Sequence, residues 1–344
     1  MLIENKISNE NLIVAKWLLT CCAMVFFMII LGGVTRLTGS GLSMVDWRPI
    51  MGIIPPITSE DWQITFGMYQ QSPEFLIKNF TMDVNSFKQI FWLEYLHRLL
   101  GRLIGIVFFF PFVYFFAKGY IKKNEFPKYL LMLILGGMQG VLGWYMVKSG
   151  LVDNPAVSQY RLTAHLSSAF LIYSFMFWVA LNLIYPKKSI THKWSNKAKA
   201  LTLLIIITII SGGFVAGLKA GKIYNTYPMM GEYWVPPGIF ALKPIWLNHF
   251  ENIATVQFNH RVLTLITFLS VGFFWIKARQ ITFSKRMRKA INALMHTTIL
   301  QFILGISTLI LYVPTILAAA HQATAVILLT VALYLCHGLS RGES

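Results

Sequence analysis

Eight apolar stretches, each long enough to cross a bilayer, constrain this chain more than any other feature of its sequence. They run over about 14–34, 91–116, 129–147, 162–184, 200–218, 256–276, 290–312 and 315–338. A hydrocarbon core is crossed by roughly 20 consecutive apolar residues in a helix, and each stretch meets that length. Only 12% of the 344 residues are charged, against about a quarter in soluble domains, so a soluble enzyme is excluded. The expected fold class is all-α: a polytopic membrane protein with eight transmembrane helices, built as two pseudo-symmetric four-helix bundles.

The first stretch, Trp17 to Leu31, is flanked by Lys6 and Lys16 but precedes no small-residue cleavage site, so it reads as a retained helix rather than a signal peptide. Glu4 and Glu10 interrupt what would otherwise resemble an organelle import sequence. The net charge of +17 is concentrated in particular connections. With the N-terminus inside, 15 of the 30 basic residues fall in the inner segments 118–128, 187–199 (with Lys187 and Lys188) and 277–289, and Lys6, Lys16 and Arg341 bring the inner total to 18. The longer outer loops carry far fewer, among them Arg48. That is the positive-inside pattern, and it places both termini in the cytoplasm of a bacterial cytoplasmic membrane. The basic residues therefore meet anionic membrane lipid, and no nucleic-acid partner is expected. Cys21, Cys22 and Cys336 all lie within apolar spans, which suits core packing rather than disulfide bonding.

The chain is an internal repeat. Gly32-Gly33 near the end of span one is echoed by Ser211-Gly212-Gly213 in span five, and each is followed by a long outer loop rich in Trp and Pro. Trp47, Pro49, Pro55 and Pro56 mark the first loop, and Trp234, Pro236 and Pro237 the second. Glu94-Tyr-Leu-His97-Arg98 answers Gln257-Phe-Asn-His260-Arg261, Gln139 to Gly143 answers Gln301 to Gly305, and His165 answers His321. Both copies run the same way across the membrane, a parallel repeat. The expected halves are 1–189 and 190–344. Short amphipathic helices are expected in both outer loops.

Four of the eight histidines, His97, His165, His260 and His321, fall in the first two turns of even-numbered spans, which begin at the outer face. An ionisable side chain at membrane depth marks a functional site. Four of them, in repeat-related pairs at one depth, point to metal ligation. No Cys or Asp clusters nearby to complete a tetrahedral zinc site. Small neighbours such as Gly101, Gly105 and Ala164 suit a flat macrocycle held axially, so two haem sites are expected, one per half.

The pairs differ at one telling place. Three residues before the first histidine stands Glu94 in one half and Gln257 in the other, on the same helix face as the imidazole. A carboxylate can move protons or stabilise a developing cation, and an amide cannot. Chemistry is therefore expected at Glu94, with electron supply or structural support from the second site. The alternative role for Glu94 is a salt bridge with Arg98. Arg98 and Arg261 are candidates to pair with haem propionates.

The runs Gly32-Gly33-Val-Thr-Arg36-Leu-Thr-Gly39-Ser40-Gly41, Glu94 to Arg102, Thr163-Ala-His165, Asn259-His260-Arg261 and Ala320-His321-Gln322 resemble the haem A synthase family. The resemblance spans nearly the whole chain. It is closest to the mitochondrial and alphaproteobacterial class, which lacks a cysteine pair in the outer loop. It implies oxidation of the C8 methyl of haem O to a formyl group, giving haem A for terminal oxidases. It further implies that Glu94, His97 and His165 are catalytic, with His97 and His165 attending the substrate haem iron. His260 and His321 would ligate the iron of a haem b cofactor. Implied partners are haem O, O2, an electron donor that the sequence does not identify, and the haem O synthase and oxidase assembly factors that would neighbour it. Membrane lipid and further copies of the chain in a homo-oligomer complete the set. A bis-histidine cytochrome that only transfers electrons, and a non-catalytic haem carrier, are the competing readings.

Overall fold

The computed structural model describes residues 8–45, 53–151, 155–185 and 191–342. Glu4, Lys6, Trp47, Arg48, Pro49, Lys187 and Lys188 lie outside these residues, as does the expected boundary at 189/190. Eight long helices carry the apolar stretches: α1 (Asn9–Leu37), α4 (Val84–Ala117), α5 (Phe126–Lys148), α6 (Gln159–Ile184), α7 (Ser195–Gly217), α9 (Ile253–Ala278), α10 (Lys285–Ile310) and α11 (Thr315–Ser340). Each is long and apolar enough to span a membrane. Three shorter helices, α2 (Ser59–Gln70), α3 (Pro73–Lys78) and α8 (Asn248–Glu251), lie in the outer loops. Among the described residues there is no β-strand, only an isolated bridge between Met230 and Tyr233. The protein is an all-α, multi-pass membrane protein.

The two outer loops differ from each other. The first forms α2 and α3 as expected. A capping box starts α2: the Asp61 amide donates to Thr58 Oγ1 at 3.1 Å and the Thr58 amide donates to Asp61 Oδ2 at 2.9 Å. The Thr58 amide and hydroxyl, with the Ile57 amide at 3.3 Å, hold the Asp61 carboxyl below its ordinary pKa. In the second loop the expected amphipathic helices do not form. Pro228, Pro236 and Pro237 interrupt any longer helix there, and the helical segments are short turns, Ala220–Lys222 and Ile245–Leu247, the latter preceded by Pro244 and leading into α8. Side chains pin this segment instead: Asn248 Nδ2 donates to the carbonyls of Leu242 at 2.9 Å and Ile245 at 2.8 Å.

Helix α4 starts earlier than hydropathy suggests. Its 34 residues extend about 51 Å at 1.5 Å per residue, well beyond a bilayer core. Asp83 caps it, accepting from the Ser86 amide at 2.9 Å. Its projecting turns are then covered by α2, where Trp62, Phe66 and Tyr69 pack on Phe87, Phe91 and Tyr95. Tyr69 stacks on Phe87 with ring centroids 5.0 Å apart, and Trp62 meets Phe91 edge-on at 5.1 Å. His97 consequently lies in about the fourth turn of its helix, not within the first two.

The chain divides into two compact units, residues 23–169 and residues 1–22 with 170–344. In the second unit α7, α9, α10 and α11 form a bundle whose core includes Ile205, Val271, Ile291, Leu294 and Leu335. In the first, α4 packs on α5, yet α5 buries only Tyr129 and Met132. Its repeat counterpart α10 buries Met287, Ala290, Ile291, Leu294 and Thr298.

Candidate functional site

Each of the four histidines rests on a glycine of another helix. A Cβ placed on Gly32 of α1 would stand 2.8 Å from His97 Cε1 of α4. The same contact recurs at Gly143 of α5 with His165 of α6 at 3.0 Å, Gly212 of α7 with His260 of α9 at 3.2 Å, and Gly305 of α10 with His321 of α11 at 2.9 Å. Carbon atoms in ordinary contact sit about 3.5–4.0 Å apart, so a side chain at Gly32 or Gly305 would force the ring to shift, and one at Gly143 or Gly212 would press the ring out of its present position by a few tenths of an ångström. These four glycines are positions of the candidate site that the sequence analysis did not assign. Their signal was present: Gly32 and Gly212, like Gly143 and Gly305, hold equivalent places in the repeat.

All four rings are half-buried. The Nδ1 atoms of His97, His165 and His321 are sealed from solvent without a hydrogen-bond partner. His260 Nδ1 lies 2.7 Å from Ser211 Oγ. With Cε1 against glycine and Nδ1 turned inward, the accessible edge of each ring is the one carrying Nε2. His97 and His165 lie within electrostatic range of each other, as do His260 and His321. Each unit thus gathers one expected pair. A ring that turns Nδ1 into the protein and offers Nε2 is the presentation of an axial haem ligand, and the residues fit that group.

The supporting residues repeat with changes. Gln139 Nε2 donates to the His165 carbonyl at 2.8 Å, and Ser168 Oγ reaches both that carbonyl, at 3.0 Å, and Gln139 Oε1. Its counterpart Gln301 places Nε2 3.4 Å from His321 Nε2. Phe268 of α9 and Phe302 of α10 stack with centroids 4.7 Å apart. Counted from His97 and Gln139, the matching positions of the first half are Gly105 and Gly140. Both are exposed, and a Cβ on either would meet nothing within 4 Å.

Glu94 is only 3% exposed and fully engaged. Arg98 Nη2 reaches its Oε1 at 2.6 Å, and its Oε2 accepts from Ser43 Oγ at 2.7 Å and the Met44 amide at 2.9 Å. Arg98 Nη2 also donates to the Met44 carbonyl at 3.0 Å. The salt bridge with Arg98 is therefore formed, and together the two residues tie down the chain leaving α1. The second half has the same clamp with an amide. Gln257 Nε2 donates to the Ala220 carbonyl at 3.0 Å, and Arg261 Nη2 donates to the Tyr224 carbonyl at 2.7 Å. Further bonds run from Arg261 Nη1 to the carbonyls of Thr226 and Met229. Both arginines thus hold outer loops, a role that the expected propionate pairing did not include.

Residues 15–333 match the family described as cytochrome oxidase assembly protein, COX15-CtaA. Among curated relatives, the chain is 50% identical to heme A synthase of Nitrosomonas eutropha over 344 residues, 98% of this chain and 97% of that one. It is 49% identical to heme A synthase of Nitrosospira multiformis over 333 residues, 95% of this chain and 94% of that one. It is also 44% identical to human heme A synthase COX15, covering 96% of this chain and 83% of the human one.

Proposed function

The chain belongs to the COX15-CtaA family of cytochrome oxidase assembly proteins, and on that premise we propose how its two histidine couples divide the work of a haem A synthase. The protein is an oxidoreductase that converts haem O to haem A. The reaction oxidises the C8 methyl group of the substrate to a formyl group, with O2 as oxidant and electrons from a separate donor. The N-terminal half, 1–189, receives haem O between His97 and His165. The C-terminal half, 190–344, keeps a haem b cofactor between His260 and His321. When bound, that cofactor supplies single-electron transfer. The chain sits in the bacterial inner membrane with both termini cytoplasmic, in keeping with its inner belts of lysine and arginine.

The observation that carries this division is the contrast between Gly105 with Gly140 and the stacked Phe268–Phe302 pair. A permanent cofactor is compatible with side chains filling the space between neighbouring helices. A large substrate that must come and go, with a long isoprenoid tail, needs that space open. The light burial of α5 supports the same assignment.

Glu94 contributes charge. Its carboxylate lies three residues from His97 on one helix face, in surroundings that amplify electrostatic effects. It stabilises positive character developing at the methyl carbon, and Ser43, bonded to its Oε2, offers a hydroxyl through which a proton can pass. A second reading has a specific observation in its favour: the Glu94–Arg98 pair clamps a loop, as Gln257 and Arg261 do in the other half. The repeat supplies the test. A purely structural residue at 94 is replaceable by glutamine, since glutamine performs that task at 257. Glu94→Gln in cells that make haem O, followed by pigment extraction, is expected to cut haem A formation by about 100-fold with the second haem retained. Haem A at the normal rate would remove the carboxylate from the chemistry. If the unaltered chain yields no haem A, the assignment of the two halves to substrate and cofactor falls with it.

A further inference from the structure

Three of the four glycine seats are preceded by leucine: Leu31-Gly32, Leu142-Gly143 and Leu304-Gly305. The fourth is Ser211-Gly212. We propose that Ser211 is a positioning residue that locks His260 in the tautomer and orientation of a permanent haem ligand, and that Leu31, its counterpart in the first half, leaves His97 an exchangeable one. This rests on the assignment of the cofactor to the C-terminal half.

The argument is one of donors and acceptors. A serine hydroxyl has a single proton and can accept through its lone pairs. Ser211 Oγ donates that proton to the Thr208 carbonyl at 2.7 Å. At its 2.7 Å contact with His260 Nδ1 it must therefore accept, so Nδ1 carries the ring proton. Nε2 is then left bare, with its lone pair directed outward for iron. Thr208 is itself fixed, its Oγ1 donating to the Leu204 carbonyl at 2.9 Å and contacting Thr267 Oγ1 at 2.8 Å. The serine is thus anchored from behind. A hydrogen bond at Nδ1–H both orients a ligating imidazole and raises the basicity of its other nitrogen.

His97 has no such partner. Its Nδ1 is sealed and unbonded, and the residue before its glycine is an aliphatic side chain. Either nitrogen can then hold the ring proton, and the form protonated at Nε2 cannot bind iron until it gives that proton up. His165, behind Leu142, is in the same position. Both ligands of the substrate haem are unlocked, whereas one ligand of the cofactor is locked. Release of the product is thereby built into the first site, and retention into the second.

The test uses the full chain in detergent with its native haem. Loss of haem to excess apomyoglobin is timed, and the midpoint potential of the retained haem is measured. Ser211→Ala is expected to lose the C-terminal haem at least about tenfold faster. Its midpoint potential should rise, because a less basic ligand stabilises ferric iron less. Ser211→Thr keeps the hydroxyl and should behave as the wild type, while the isosteric Ser211→Val should follow the alanine variant. Leu31→Ser should slow haem loss from the first half. If His260→Ala removes the tightly held haem but Ser211→Ala and Ser211→Val keep the wild-type rate and potential, this inference is overturned and the assignment of the site survives. If His260→Ala leaves all bound haem in place, the assignment itself is wrong.

Discussion

Replacing Gly305 by alanine adds one methyl group to α10, and the structure says how far His321 must then move. The new Cβ would stand 2.9 Å from Cε1, 3.5 Å from Nδ1 and 3.7 Å from Nε2. Ordinary carbon contacts of about 3.5–4.0 Å require the ring to retreat by roughly 0.6–1.1 Å. Metal–ligand distances tolerate about 0.2 Å, so the displacement is several times what a bond to iron absorbs. Disturbing residues that merely support a ligand costs about 10–100-fold in metal affinity, and displacing the ligand itself should cost at least as much. The helix, by contrast, gains, since alanine is favoured over glycine by about 1 kcal/mol in a helix interior. Gly305→Ala should therefore hold little haem in its C-terminal half while the apoprotein melts no lower than the wild type. Gly272→Ala is the control, because a Cβ there meets nothing within 4 Å. Haem per chain by pyridine haemochrome, with melting followed by circular dichroism, makes the comparison. Equal haem content in the two variants would refute the glycine-seat reasoning.

Gly32→Ala and Gly143→Ala carry the same clash into the first half; haem A formation should fall at least tenfold while the retained haem spectrum is unchanged, both read from extracted pigments. Filling the open gap with Gly105→Phe and Gly140→Phe, to match Phe268 and Phe302, should block haem O turnover and spare C-terminal haem, and normal haem A yield would remove the gap from substrate binding. The capping box of α2 should respond to acid in a defined direction. Because the Asp61 pKa is lowered in the fold, its contribution is complete above the ordinary aspartate pKa of about 3.9 and is lost as pH falls through the lowered value. Asp61→Asn should show no such loss of protection when amide exchange in α2 is followed over that range.

The eight spans were legible because hydropathy over about 20 residues is a local property, and the four histidines because the repeat displayed each twice. The start of α4 was not legible. It depends on Trp62, Phe66 and Tyr69 folding back on residues that follow them in the chain, which a sliding window does not register. The lack of longer helices in the second outer loop is legible in its prolines, each of which removes a backbone donor. The glycine seats lie between these cases. Gly32 and Gly305 are plainly visible as repeat residues, yet their meaning is a contact between helices, and only placing the imidazole against the missing Cβ reveals it. The Glu94–Arg98 salt bridge was legible from the i, i+4 spacing, but that both Glu94 and Gln257 tie loops to helices, a task common to acid and amide, depends on contacts far apart in the chain.

Every imidazole depends on a helix other than its own, and this orders events during synthesis. Gly32 emerges from the ribosome long before His97 and must wait for it, while Gly305 and His321 belong to consecutive helices. A nascent chain that has inserted as far as α6 already possesses both seats and both ligands of the first centre. The other centre cannot be completed until α11 has entered the bilayer.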